Sequence, residues 1–131
     1  MLEELIALGF ERFLSVGAAG HPCNGQGPKL GVGDIVLPKA ALIFEGTSCH
    51  YQAEGGVSRP DPAQFDRIIS ILQANGTSFT SGTVATTDAL YRETSKFIQT
   101  ITERQAIALD MELSALFSVA TFHGKEIAGL L

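Results

Sequence analysis

The second half of the chain alternates helix patterns with strand patterns, and this order constrains the fold more than any other feature. Asp61-Pro62 combines an N-cap acceptor with proline at the first helical position, and Asn75-Gly76 is typical of a helix end. Between them lies a stripe of apolar residues at helical spacing: Phe65, Ile68, Ile69 and Leu72. The sequence therefore predicts a helix that begins after Asp61 and ends near Asn75.

The same alternation continues to the end of the sequence. Next come a threonine-rich strand pattern over 77–87, a helix capped by Thr94, an apolar strand over 106–109, a helix over 112–122 and a strand over 125–131. Strands that alternate with helices favour an α/β fold, with a mixed or largely parallel sheet and helices packed on it.

The first half is less regular. It predicts a helix over 2–9, a strand over 12–16 that runs into a turn of small residues, and two strands over 34–37 and 40–44. The intervening segments 21–33 and 46–60 are rich in glycine and polar residues, so we expect loops there. A loop as long as 46–60 is either functional or disordered in a compact domain.

Composition narrows the classes of partner. The 131 residues fit one domain, 1–131, and a hydrophobic content of 45% is enough to bury a core. A net charge of −5 without any basic run argues against a nucleic-acid partner. There is no apolar run of the ~18 residues that a membrane span needs, and Glu3 and Glu4 stand where a signal peptide would be basic. We therefore expect a cytoplasmic protein without a membrane partner.

The metal-binding residue types show no recognisable spacing. Cys23 and Cys49 do not form a Cys-x-x-Cys pair, and we expect two reduced thiols. The histidines His21, His50 and His123 are scattered along the chain. The sequence accordingly predicts no metal site and no bound cofactor.

The segment Asp110-Met111-Glu112 carries the most pointed chemistry, because two acids flank the end of an apolar strand. One of these acids can face a crevice while the other faces the structure. Glu112 is placed to accept hydrogen bonds from both hydroxyls of a vicinal diol such as a ribose. The alternative is that both acids favour the helix N-terminus electrostatically.

Three further segments each have a functional and a structural interpretation. The turn Ser15–Gly20 either brings backbone N–H groups close to a ligand or is simply a tight turn. Around Thr87 and Asp88 the chain offers hydroxyls and an acid, and Tyr91 either covers a planar base or is a core tyrosine. His50 could act as an acid or base, although a loop histidine is more often solvated.

Taken in order, several stretches resemble the nucleoside phosphorylase superfamily, which includes purine nucleoside phosphorylases, uridine phosphorylases and nucleosidases. The stretches are Ser15–Gly20, Leu30–Pro38, Glu45–Tyr51, Thr86–Thr94 and Leu109–Phe117. The likeness covers the chain from about Leu8 onward. The Met-Glu pair before a helix of small residues is its most specific part, and the uridine-phosphorylase-like branch is the most similar.

The resemblance implies an α/β fold with a mixed, partly barrelled central sheet and flanking helices. It implies cleavage of the N-glycosidic bond of nucleosides, a pentosyltransferase activity in which phosphate or water is the acceptor. Glu112 matches the glutamate that holds the ribose hydroxyls, and Met111 matches the methionine that lies against the sugar. Ala18, Ala19 and Gly20 match the turn that approaches the ribose and base. Leu90 matches a position that is usually aromatic and packs on the nucleoside, and Tyr91 is adjacent to it.

The sequence also departs from the family. The family is longer at both ends, and its glycine-rich phosphate loop and phosphate-binding arginines have no counterpart here. Ser15 stands where an arginine usually precedes the Val-Gly pair, and Ala18 replaces a hydroxyl residue that helps to hold phosphate. The family's leaving-group aspartate lies beyond the position of Leu131. Thr94 and Lys96 occupy the places of the Gln and Arg that read uracil.

These observations leave three hypotheses. The chain is a phosphorylase-like protein with weak or no activity by itself, a non-catalytic module that binds nucleoside or ribose, or one part of a split phosphorylase completed by a second chain. Strands without sheet neighbours expose edges that must be covered, so we also expect a homo-oligomer.

Overall fold

The structure is a computed structural model and describes residues 1–22, 28–51 and 56–131. Cys23 lies outside the described residues, and Cys49 is a free, exposed thiol. The helices and strands in chain order are α1 (Leu2–Ala7), β1 (Arg12–Val16), β2 (Val36–Phe44), β3 (Val57–Ser58), α2 (Pro62–Ala74), β4 (Thr80–Thr87), α3 (Ser95–Glu103), β5 (Ala106–Asp110), α4 (Leu113–Phe122) and β6 (Glu126–Leu130).

The strands form a mixed sheet and a smaller parallel pair. In the four-stranded sheet the order is β3-β2-β4-β5, with β2, β4 and β5 parallel and β3 antiparallel to β2. Strands β1 and β6 form the parallel pair. The predicted α/β fold with a mixed sheet and flanking helices is confirmed.

Two backbone contacts connect the pair to the sheet. Val36 and Leu131 exchange hydrogen bonds of 2.8 and 3.0 Å, and Gly20 and Leu109 exchange two of 2.8 Å. The β1–β6 pair is therefore joined to the sheet through β2 and through β5. Within the described ranges the strands do not close into a barrel.

The prediction of two strands over 34–37 and 40–44 was wrong, because β2 runs without interruption from Val36 to Phe44. Proline cannot donate to a ladder, yet Pro38 lies inside this strand. Instead, the pairing with β4 shifts register between Pro38 and Ala40, an irregularity that lets the strand continue. The predicted loop over 46–60 also contains structure: a 3-10 turn at Ser48–His50 and strand β3.

The helix starts were predicted well because their caps are local. Asp61 Oδ1 accepts a hydrogen bond from the Gln64 N–H at 2.8 Å, and Thr94 Oγ1 accepts one from the Phe97 N–H at 3.3 Å. Each bond pairs a first-turn amide that the helix itself leaves without a partner. Of the predicted α2 stripe, Ile68 and Leu72 are buried.

Helix α4 lies against the sheet and contributes to the largest apolar core. Leu113 and Phe117 are almost fully buried and pack in one cluster with Val84 of β4 and Ile127 of β6. This packing fixes the start of α4 at the end of the parallel strands. None of the described helices is long and apolar enough to cross a membrane.

Candidate functional site

The carboxyl ends of the parallel strands β2, β4 and β5 meet at one edge of the sheet, where α/β proteins commonly bind ligands. Glu45 follows β2, Asp88 follows β4, and Asp110 ends β5. Asp88 Oδ2 accepts a hydrogen bond of 3.2 Å from the Gly46 N–H, which ties the ends of β2 and β4 together. The edge therefore collects three carboxylates from three neighbouring strands.

Asp110 and Glu112 have opposite surroundings, because β5 ends at Asp110 and the chain turns into α4 at Glu112. Asp110 is 4% exposed, and its Oδ1 accepts a 2.6 Å bond from the Thr86 hydroxyl. Its Oδ2 accepts bonds from the N–H groups of Glu112 at 3.1 Å and Leu113 at 2.7 Å. Asp110 thus holds the first turn of α4, which is the structural role foreseen for an acid at this junction.

Glu112 is exposed and occupies the N-cap position of α4, yet its side chain makes no capping hydrogen bond. Glutamate is not among the residues preferred at an N-cap. The capping function is carried instead by Asp110, two residues earlier. The Glu112 carboxylate is consequently left free at the edge of the sheet.

Glu45 is a site residue that the sequence interpretation missed. Its Oε1 accepts a 2.8 Å bond from the Ser114 hydroxyl of α4, and its Oε2 accepts bonds from the N–H groups of Thr47 and Ser48. Burial raises the pKa of Glu45, but the hydrogen bonds from Ser48, Ser114 and the two amides outweigh it and hold the pKa below the usual 4.5. An acid directly after a strand was the available signal.

Buried hydroxyls continue this polar layer beneath α4. Ser118 Oγ lies 2.8 Å from both Ser48 Oγ and the Ser114 carbonyl oxygen, and the Ser58 hydroxyl donates to the same carbonyl at 2.9 Å. All four serines are almost fully buried. Because buried polar groups are costly unless paired, this network fixes α4 against its neighbours in one arrangement.

The glycine-rich turn, Ser15–Gly20, lies beside the α4 junction, which is the segment between the end of β5 at Asp110 and the start of α4 at Leu113. The Gly20–Leu109 contact is antiparallel, so the residues before Gly20 approach the residues after Leu109. Residues 17–20 are all exposed, as a turn that receives a ligand requires.

A cavity of about 760 Å³ lies beside this turn. Ala18, Ala19 and Gly20 line it, together with the segment 30–36 and the last residues of β6, whereas Met111 and Glu112 do not. Its lining is largely apolar, and neither lysine nor arginine contributes to it within the described chain. The predicted residues are thus divided between a polar junction and an apolar cavity.

The remaining predicted residues follow β4. Leu90 is 50% exposed and Tyr91 is 97% exposed on a 3-10 turn, so the alternative of a core tyrosine was wrong. Thr87 is buried, and its Oγ1 accepts a 3.3 Å bond from the Ala89 N–H. His50 is exposed in the Ser48–His50 turn. The part of the chain that is described holds no cluster of three or more metal-binding side chains.

Comparison with known proteins is consistent with this geometry. A guanosine phosphorylase of Halorubrum lacusprofundi is 27% identical over 123 residues, which cover 94% of this chain and 49% of that protein. A uridine phosphorylase of Thermococcus kodakarensis is 25% identical, covering 94% of this chain and 48% of that protein. The chain therefore spans about half the length of the curated relatives it matches.

Solved structures show the same relation. The crystal structure of an AMP nucleosidase from Bacteroides thetaiotaomicron matches 99% of this chain and 53% of its own, with a TM-score of 0.87 and 28% identity. A P. knowlesi homologue of the P. falciparum PNP matches with a TM-score of 0.86, covering 99% of this chain and 53% of that one; its 18% identity supports the fold alone. The family described as the phosphorylase superfamily matches residues 1–131, and this chain belongs to it.

Proposed function

We propose that this chain forms the nucleoside-holding part of a protein that acts on the N-glycosidic bond of nucleosides, with Glu112 as the residue that binds the ribose hydroxyls. The observation that carries the proposal is the free carboxylate of Glu112 beside a second acid, Asp110, that already caps the helix. The family match over residues 1–131 supports the same class of ligand.

The chemistry of a ribose suits a carboxylate in this position. The 2′- and 3′-hydroxyls both donate, and an ionised carboxylate has two oxygens that only accept. Hydrogen bonds to a charged group contribute about 1.5–3 kcal/mol each, more than neutral ones. Since the Glu112 side chain makes no bond to α4, binding a diol would not weaken the fold.

The same carboxylate could assist bond cleavage. When the bond between ribose C1′ and the base nitrogen breaks, its electron pair leaves with the base and positive charge develops on the sugar. An oxygen of water or phosphate then bonds to C1′, and the base takes up a proton. A fixed negative charge near the sugar stabilises that transition state.

Exposed apolar side chains at the same edge offer contacts for the rest of a nucleoside. Met111 is 42% exposed next to Glu112, and Leu90 and Tyr91 are exposed after the neighbouring strand β4. An aromatic ring packs well on a planar base. We infer that these three residues cover the sugar and base. Both purine and pyrimidine nucleosides are candidates, because the relatives include a guanosine phosphorylase and a uridine phosphorylase.

A second candidate function is nucleoside binding without catalysis. The observation that favours it is the absence of lysine and arginine from the lining of the cavity beside the glycine-rich turn, as far as the chain is described. Phosphate is usually held by basic side chains or by N–H groups at a helix start. Ser15 and Ala18 add no charge at this turn.

Binding experiments test the ribose site directly. Isothermal titration would use guanosine, inosine, adenosine and uridine, each paired with its 2′,3′-dideoxy form. At least one nucleoside should bind about tenfold more tightly than its dideoxy form, and Glu112→Gln should abolish that preference. Glu103→Gln is the matched control, since Glu103 is exposed at the opposite end of β5. Equal affinity of both forms for the wild-type chain would refute the ribose site.

An assay of free-base release from the same nucleosides, with and without phosphate, separates the two candidate functions. Release that depends on phosphate indicates a phosphorylase, and release without it indicates a nucleosidase. Binding without any release supports the non-catalytic candidate. If a second chain completes the site, release should appear only when that chain is present.

Self-association also stays a prediction. Leu14 and Val16 are exposed on β1, and within the described residues β1 pairs along its length only with β6. An exposed apolar strand edge favours pairing with another chain. Light scattering should give a mass above that of one chain, and Val16→Lys should lower it.

A further inference from the structure

The buried side chains of Asp110 and Thr86 bond to the backbone at the start of α4, where Glu112 lies. Together their side chains accept hydrogen bonds from the N–H groups of three consecutive residues, Glu112, Leu113 and Ser114. These are the amides that the first turn of a helix leaves without partners. The start of α4 is thus held by two side chains of the sheet rather than by its own N-cap residue.

We propose that Asp110 and Thr86 are positioning residues for Glu112: their shared hydrogen bonds fix the backbone of Glu112 so that its carboxylate meets both ribose hydroxyls. This inference rests on the proposed function. Glu112 itself is exposed, and nothing in the described structure bonds to its side chain. Its orientation is therefore set through its backbone.

The hydrogen bonds of Thr86 and Asp110 make the start of α4 rigid. The Thr86 hydroxyl donates to Asp110 at 2.6 Å and accepts from the Ser114 N–H at 3.0 Å, so it uses both of its functions. Asp110 is 4% exposed and Thr86 is fully buried. Charge-assisted bonds between buried groups hold their partners closely, which is what a binding residue needs from its surroundings.

Neighbouring strands supply the two residues, which gives the arrangement its precision. Thr86 and Asp110 are direct partners in the β4–β5 ladder. Ser114 adds a third point through its hydroxyl, which donates to Glu45 at the end of β2. The first turn of α4 is consequently tied to the ends of three parallel strands, and a shift of any one of them would move Glu112.

The test measures preference for a ribose over a 2′,3′-dideoxyribose in the 131-residue chain. Asp110→Asn keeps the shape but offers one acceptor oxygen where Asp110 uses two, and Thr86→Val removes the hydroxyl. Both variants should lose about tenfold in preference, with the affinity for the dideoxy form unchanged. Thr86→Ser, which keeps the hydroxyl, should restore the preference.

Controls separate positioning from general support of the fold. Asp61→Asn alters a matched carboxylate cap on α2 and should leave the preference unchanged. In the double variant Asp110→Asn/Glu112→Gln the preference should fall no further than in Glu112→Gln alone, since both changes act on one interaction.

The outcomes distinguish the two proposals. A wild-type chain that binds both forms equally overturns the proposed function. A wild-type preference that is lost in Glu112→Gln but kept in Asp110→Asn and Thr86→Val overturns the positioning role alone. Equal loss of affinity for both forms in these variants would also overturn it, because it would show a purely structural effect.

Discussion

Two regions lie side by side at this edge of the sheet, the α4 junction and the glycine-rich turn, and they are built in opposite ways. At the junction, side chains from β4, β5 and the end of β2 pair with the first turn of α4. Of these, Thr86 and Asp110 are buried and Glu45 is partly buried. At the turn, residues 17–20 are exposed and border an apolar cavity of about 760 Å³. The candidate site is therefore rigid at the α4 junction and open at the glycine-rich turn.

The difference shows what each region can contribute to binding. The junction presents one free carboxylate, Glu112, on a support whose hydrogen bonds are already made. The turn presents backbone and methyl groups, and the described residues of the cavity wall include no lysine or arginine. The junction suits hydroxyl recognition, whereas the turn suits apolar contact.

The largest expected effect comes from breaking the junction. Asp110→Ala leaves the Thr86 hydroxyl and the Leu113 N–H without their partner, and both are buried. We expect the free energy of unfolding in urea to fall by about 2–4 kcal/mol. Asp61→Ala, which removes a cap that accepts one amide, should cost about 1 kcal/mol. Equal losses for the two variants would contradict the role assigned to the junction.

A second test uses pH. The hydrogen bonds that hold the pKa of Glu45 below 4.5 stabilise the ionised form, so its contribution is present above the unfolded pKa and is lost as pH falls through the folded pKa. Glu45→Gln should cost about 1 kcal/mol at pH 7, and the difference from wild type should shrink as pH falls below 4.5. Denaturation at a series of pH values would measure it, and a difference that grows on acidification would contradict the sign.

Substitutions in the cavity wall should have the opposite effect to those at the junction: they should alter the binding of an apolar ligand and leave the free energy of unfolding nearly unchanged. Val16 and Val32 line the cavity and are well exposed. Val16→Thr/Val32→Thr should weaken the fluorescence of a bound apolar dye, while the free energy of unfolding changes by less than about 0.5 kcal/mol. Lys39→Gln, an exposed change away from the cavity lining, is the control. Undiminished dye fluorescence would show that the dye binds elsewhere.

The smallest expected effect concerns phosphate. Since the described residues of the cavity wall include no lysine or arginine, millimolar phosphate should shift the midpoint of thermal unfolding no more than sodium chloride of the same ionic strength does. A saturable stabilisation specific to phosphate would show that the turn binds this anion through its backbone. That result would favour the phosphorylase over the non-catalytic candidate.

Local patterns predicted most of the elements. The caps at Asp61 and Thr94 act within three residues, so the starts of α2 and α3 could be read directly. Asp110 and Glu112 face different surroundings because β5 ends at Asp110, whereas two residues two apart within a strand would share one face. The continuity of β2 through Pro38 could not be read, because it depends on a register shift against β4.

What the sequence determined by itself was the α/β class, the helix starts and the family resemblance carried by its ordered motifs. Which acid serves the fold and which remains free was decided only by the tertiary structure. Thr86 and Glu45 lie 24 and 69 residues away from their partners Asp110 and Ser114, and their hydrogen bonds exist only once β2, β4 and β5 are aligned. Such contacts depend on strand order and register, which no local pattern contains.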